Sequence, residues 1–326
     1  MTRIRVSGFA CRLIRVLIPI ALFISVGCGS RQTVPQGPAV DQDFERTKQL
    51  ARTAFESNKI QQAADLYRQT LERAYLRDDL AAAVDAGYNL AVCLTLLQFD
   101  REALDLVIRA REELSRADQP VPADILLLEA AIRYRLGQSQ AAWQLTGDIL
   151  NGSDKLPSAV QSKTHFLRGL IANERSDLVT LKEEIAALAG SDSTVIRADR
   201  EELIGHLSLK QRRWDDAVLA FDEAASLRRQ LLDYRGMVKA LAKAGESCEQ
   251  AGRYVPASIR YLRAGLSAAL QGISDRAQIW LTRAAELAEQ GGAENIAQEA
   301  LLQLSQLQKD QPFSPSRYDP AGDGLQ

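Results

Sequence analysis

From Asp41 onward the apolar residues recur at three- and four-residue intervals, the spacing of one helix face, and no stretch alternates as a half-buried strand would. The runs break at short turns, several of them marked by Gly137, Gly252 and Gly292. Small residues return on a longer period, at Ala51, Ala91, Ala130, Gly169, Gly205, Gly245 and Ala285, with spacings of 40, 39, 39, 36, 40 and 40. Twelve positions after each come Ala63, Ala103, Ala142, Leu181, Ala217, Ala257 and Ala297, and four further on Tyr67, Val107, Thr146, Ile185, Phe221, Tyr261 and Leu301. Antiparallel helices approach closely only where side chains are small, and larger neighbours fill the groove between pairs. The pattern therefore predicts an all-α chain, an α-solenoid of about seven stacked helix pairs with a period of about 39–40 residues.

The clearest unit reads Leu203-Ile204-Gly205, then Trp214-Asp215-Asp216-Ala217, then Phe221 and Ala224. Forty residues later come Ala244-Gly245, Gly252-Arg253-Tyr254, Ala257, Tyr261 and Ala264, with Pro256 suited to the first turn of a helix. This order of small residue, turn aromatic, Ala, aromatic and Ala resembles the tetratricopeptide (TPR) repeat, whose usual unit is about 34 residues. The longer period implies longer helices or longer turns between repeats. Units three and four depart from the pattern, with Leu181 in place of Ala and no aromatic in Asn173-Glu174-Arg175-Ser176. Another family of helical hairpins would give the same solenoid.

The resemblance implies that the first helix of each pair lines a concave groove holding extended peptides or partner helices. Some family members clamp a C-terminal carboxylate with Lys, Asn and Arg from successive repeats. Here Lys48 and Asn89 fall on matching positions, but Arg52 replaces an Asn, and Asp124 and Leu128 replace the remaining basic residues. An intact clamp is not expected. On the projected groove side lie Tyr88, Val92, Leu127, Tyr134, Phe166 and Leu170, an apolar centre, followed by an acidic end at Glu246, Glu249, Glu286 and Glu289. These ten are the candidate partner-binding residues, for an apolar peptide or helix with a basic part reaching the last two repeats. Packing of Tyr134 and Phe166 against neighbouring helices, and a solvated acidic face, are the alternatives.

The amino-terminal segment reads differently. Arg3, Arg5, Arg12 and Arg15 precede an apolar run from Val16 to Gly27, and no acid occurs before Asp41. About twelve residues span only ~18 Å as a helix, short of the roughly 20 residues of a bilayer crossing. A basic start, a short apolar run and small residues after it form a secretory signal. The sequence Ser25-Val26-Gly27-Cys28-Gly29-Ser30 resembles the lipobox of bacterial lipoproteins, although Leu is usual where Ser25 stands. That resemblance implies cleavage before Cys28 and a covalent lipid on its thiol and amine. Gly29, where an Asp would signal retention at the inner membrane, points to the outer membrane facing the periplasm of a bacterial cell envelope. An uncleaved single-pass anchor is the alternative. The expected organisation is a signal peptide over 1–27, a flexible tether over 28–40, the helical repeats over 41–308 and a disordered tail over 309–326.

Composition narrows the function. With 40 Lys plus Arg against 42 Asp plus Glu the formal charge is −2, which argues against a nucleic-acid partner held by phosphate contacts. Loss of 1–27 leaves 36 basic against 42 acidic residues, a mildly acidic array. His165 and His206 lie on consecutive first helices, and Glu202 stands one turn before His206, but no third ligand has metal spacing. Cys93 and Cys248 sit beside the small residues and read as buried core thiols. No nucleophile elbow, zinc-protease motif or phosphate-binding loop is present. The chain is therefore expected to carry no catalytic residues, no metal, no cofactor beyond the lipid on Cys28 and no small-molecule substrate. Its expected role is a membrane-anchored scaffold or assembly factor with protein partners in the envelope. A self-assembling structural lipoprotein, or an envelope enzyme on a repeat scaffold, remains open.

Overall fold

The computed structural model describes residues 41–152 and 156–309; the proposed leader, Cys28, the tether and nearly all of the proposed tail lie outside them. The described residues form fourteen helices and no strand. The first four are α1 (Gln42–Glu56), α2 (Ile60–Leu76), α3 (Leu80–Leu96) and α4 (Asp100–Arg116). Next come α5 (Ala123–Arg135), α6 (Ser139–Asn151), α7 (Ser158–Glu174), α8 (Leu178–Ala187) and α9 (Thr194–Lys210). The array continues with α10 (Trp214–Gln230), α11 (Tyr234–Gln250), α12 (Tyr254–Leu270), α13 (Ser274–Gln290) and α14 (Glu294–Gln308).

The forty-residue period has a simple origin. From α9 to α13 every helix is 17 residues long, and each is separated from the next by a three-residue turn. In these turns one residue takes the left-handed conformation and the following N–H returns to a carbonyl five residues back, closing the helix end. Gly252 (φ 72°) does this with Arg253 N–H on Cys248 O at 2.9 Å, and Leu232 (φ 58°) with Asp233 N–H on Arg228 O at 2.9 Å. Asp79, Asp177 and Asp233 then start the next helix, each accepting a backbone N–H three residues on, at 3.0, 3.1 and 2.9 Å. The longer period thus comes from longer helices rather than longer turns.

The middle of the array is less regular. Helices α5 and α6 have 13 residues each and α8 only 10, and these are the units whose sequence departs from the repeat. With α8 so short, α7 packs against α9 directly, and Leu203 of α9 presses on Gly169. Elsewhere the small first-helix residue is covered by the aromatic of its own second helix, Phe221 over Gly205 and Tyr261 over Gly245.

All fourteen small or substituting positions of the two crossing series are buried, Leu181 among them. Of the large series, Phe221, Val107 and Tyr67 are buried, but Leu301 is 48% exposed. No helix follows α14 among the described residues, so one side of Leu301 lacks the pair that covers its counterparts. Cys93 and Cys248 are buried free thiols; burial pushes Cys93 up to about 11 and raises Cys248 as well, so both are inert core groups.

Successive second helices are linked by their own polar contacts. Arg68 of α2 meets Glu102 of α4 at 3.0 Å, Tyr75 donates to Glu113 at 3.0 Å, and Arg260 of α12 grips Asp222 of α10 at 2.6 Å. First helices are linked likewise, by Lys48 to Asp85 (2.9 Å), Lys163 to Asp199 (2.7 Å) and Arg283 to Glu249. The two series form separate walls with the small-residue crossings between them.

Candidate binding surface of the first helices

The six apolar residues expected on the groove side all stand on the wall of first helices, Tyr88 and Val92 on α3, Leu127 and Tyr134 on α5, Phe166 and Leu170 on α7. None is fully buried and none is fully exposed. Tyr88, Leu127, Tyr134, Phe166 and Leu170 rest one side on the core and leave the other accessible. Burial raises the phenol of Tyr88, with Asp124 adding to it. Burial raises that of Tyr134 too, and Glu174 of α7 and Glu202 of α9 contribute. Tyr134 thus stands near acids of the next two first helices, and the apolar positions lie half-buried along three neighbouring helices of the wall.

The acidic end is partly neutralised from within. Glu249 and Glu286 both hold Arg283, Glu249 also accepts from Tyr261 at 3.3 Å, and Glu246 pairs with Lys243 at 2.7 Å. Glu289 is exposed. A basic segment of a partner would compete with Lys243 and Arg283 for these carboxylates. The remnants of a carboxylate clamp are occupied too, since Asp85 takes both Lys48 and the Asn89 side chain, the latter at 3.2 Å.

Between the apolar strip and the acidic end lies a charge cluster that the periodicity does not reveal. Asp199 of α9 is fully buried and is held by Lys163 of α7 at 2.7 Å and Arg228 of α10 at 2.6 Å. Arg228 also reaches Glu202 and Asp233, each at 3.0 Å. Burial opposes the charge on Arg228, and Glu202, Asp199 and Asp233 more than offset it, so the guanidinium stays charged. Burial raises the carboxyl of Glu202, Arg228 lowers it and Asp199 raises it, with the balance upward. Lys163 and Arg228 also lie over the face of Phe166, 5.5 and 5.9 Å from the ring centre, so the cluster and the apolar strip are continuous.

A second contact was equally hidden in the sequence. Arg235 at the start of α11 donates through Nη1 to the carbonyl of Leu96, the last residue of α3, 139 positions away. Arg135, the last residue of α5, reaches the adjacent carbonyl of Thr95 at 3.4 Å while its guanidinium holds Asp100 at 2.8 and 3.1 Å. Through this one side chain the start of α11 reaches the end of α3. Cations near a helix C-terminus were the available signal, since uncapped carbonyls there attract them, but nothing in the spacing says which helix end an arginine reaches.

The histidines have separate local partners. His165 Nδ1 lies 2.7 Å from Glu184, which also takes Arg168 at 2.7 Å, and that arginine stacks on Trp143 at 3.8 Å. His206 packs edge-on against Phe221, centroids 5.2 Å apart. Burial, with Lys243 and Lys210 nearby, pulls it down to about 4, so it is neutral at physiological pH. Glu202 turns to Arg228 instead. Among the described residues no group of three or more His, Cys, Asp or Glu stands together as metal ligands, and no helix is long and apolar enough to cross a membrane.

No protein-family model and no curated protein matches the sequence. Among solved structures, the apo form of the quorum sensor NprR from B. thuringiensis is similar over 82% of each chain, with a TM-score of 0.54 and 12% identity. A tetratricopeptide repeat protein from Parabacteroides merdae aligns with 80% of this chain and 99% of its own, with a TM-score of 0.43 and 14% identity. The fourteen consecutive helices and the likeness to the NprR structure make the fold an α-solenoid of TPR-like helix pairs. At such identities the likeness is one of fold, and the binding surface has to be argued from this chain's own residues.

Proposed function

We propose that this chain is a protein–protein interaction scaffold of the bacterial cell envelope, binding a peptide or partner helix along its first helices. The observation that carries the reading is the strip from Tyr88 to Leu170. The crossing residues beside it are sealed in the core, yet six large apolar side chains on three adjoining helices keep one side accessible. Large amphipathic residues held half-exposed on a rigid wall are the material of a binding hot spot. Binding rather than catalysis is also supported by the two histidines and the buried Asp199, which are paired with other charged groups or, like His206, packed against an aromatic ring.

The anchor belongs to the same proposal. A lipid on Cys28 and the spacer to residue 40 would hold the array within roughly 40 Å of a membrane at ~3.3 Å per residue, and Gly29 favours the outer membrane. Cys28→Ser should abolish acyl labelling and release the protein from membranes; continued membrane fractionation with an uncut leader would show the single-pass alternative instead.

The groove is tested by photo-crosslinkers at Tyr88, Tyr134 and Phe166 in cells. A shared partner at all three, lost from the Tyr88→Ala, Tyr134→Ala, Phe166→Ala triple variant while its helical signal survives, supports the reading. Undiminished capture by the folded triple variant refutes it. Self-assembly has one observation in its favour, the half-exposed Leu301 and Leu302 on α14, and predicts a concentration-dependent mass by light scattering.

A further inference from the structure

Along the first-helix wall two cations of α11, Arg235 and Lys239, stand without a carboxylate bonded to them. Lys163, Arg228 and Arg135 each hold a carboxylate, Asp199 for the first two and Asp100 for the third. Arg235 has no carboxylate and rests on the carbonyl of Leu96, where a helix end supplies only about half a negative charge. Lys239 makes no hydrogen bond or ion pair with any described residue. It stands four residues after Arg235, hence on the same face of α11. The nearest acids acting on it, Glu202 and Asp233, are already bonded to Arg228.

Lys239 is exposed, on the α11 face that carries Arg235. Its ammonium lies below the ordinary lysine range, through partial desolvation and the charge of Arg135. Arg235 and Arg135 converge on the end of α3, and Lys239 stands one turn along α11 from Arg235; of the acids nearby, Asp100 is held by Arg135, and Glu202 and Asp233 by Arg228. A cation kept partly desolvated beside two others gains more from an arriving anion than a surface lysine would.

We propose that Lys239 and Arg235, with Arg135 alongside, form an anion site in the groove that receives one carboxylate of the bound partner. The inference rests on the groove reading above and names the chemistry the partner must bring. The site would tie the partner to α11 on one side and to the α3 and α5 ends on the other, next to Tyr134 of the apolar strip. An Asp or Glu side chain and a C-terminus offer the same two oxygens to an ammonium and a guanidinium.

The test uses the full chain in detergent and three fluorescent peptides, measured by polarisation. All carry leucines at helical spacing: one has a single central Glu and an amidated end, one has Gln there and an amidated end, one has Gln and a free C-terminal carboxylate. At least one acidic peptide should bind about tenfold tighter than the neutral one, the worth of a charge-assisted hydrogen bond. Which of the two does so identifies the source of the carboxylate. Lys239→Gln should erase the preference without weakening the neutral peptide, and Lys239→Arg should retain it, with circular dichroism unchanged in both. Equal binding of all three peptides by the wild type overturns the anion site while leaving the groove standing. A preference that survives Lys239→Gln, or no binding of either acidic peptide at millimolar concentration, also overturns it.

Discussion

Gly205 on α9 lies directly beneath the ring of Phe221 on α10, so close that a Cβ at Gly205 would stand 2.7 Å from two ring carbons. Phe221 is fully buried and cannot withdraw. Gly205→Ala should therefore destabilise the chain by about 1–3 kcal/mol through overpacking, despite the ~1 kcal/mol that alanine gains over glycine in a helix. The matched control is Gly245→Ala, where the ring of Tyr261 would be 3.2 Å away and need give only a few tenths of an ångström. Urea unfolding of the two variants should rank Gly205→Ala clearly below Gly245→Ala.

Leu232 turns the chain between α10 and α11 with φ at 58° and its side chain 69% exposed. Glycine there removes the steric cost of a left-handed residue and sacrifices little packing. Leu232→Gly should raise stability by about 1 kcal/mol, read as a higher melting temperature. An unchanged or lower value would mean that the leucine has contacts worth more than its backbone strain.

Acid should weaken this fold through His206. Its folded value is down to about 4 because burial, Lys243 and Lys210 disfavour the charged ring. The unfolded chain takes up that proton near pH 6.5 and the folded one does not until near 4, so stability is full above the first value and falls through this window. The loss is about 3 kcal/mol at most. His206→Phe, which keeps an aromatic against Phe221, should flatten the pH profile of the melting temperature between those values; an identical slope in the variant would assign the effect elsewhere.

Glu129 is 1% exposed on α5, where it holds Arg133 at 2.8 Å and Arg111 of α4 at 3.4 Å. Glu129→Gln keeps the shape but turns a carboxylate into an amide facing two guanidinium groups. The expected cost is about 1–3 kcal/mol, since the buried amide keeps one good acceptor and both arginines are partly wet. Trp143 packs in the same core cluster as Ala130, so its fluorescence reports the change during unfolding.

The repeat was legible because helix crossings tolerate few residue types. Ala51, Ala91 and Ala130 had to be small, and a periodic constraint of that kind survives in the sequence. The half-buried positions from Tyr88 to Leu170 were legible for the same reason, being fixed by phase relative to the crossings. The charge cluster was not. Nothing local marks Asp199 as buried, because the group that permits its burial, Arg228, comes 29 residues later on another helix. Nor does the strict period foretell the short α8, whose ten residues let Leu203 of the next first helix cover Gly169. Spacing encodes what repeats, and these contacts occur once each.

The junction of Arg235 with Leu96 alters how the array should come apart. In a simple stack each unit touches only its neighbours, so fraying can advance from either end one unit at a time. Here the seventh of the helices between α3 and α11 is as much a link in a loop as the first, and opening any of them pulls on the clasp. The amides at the end of α3 and the start of α11 should therefore exchange more nearly together than their separation along the stack implies, while α1, α13 and α14 open alone.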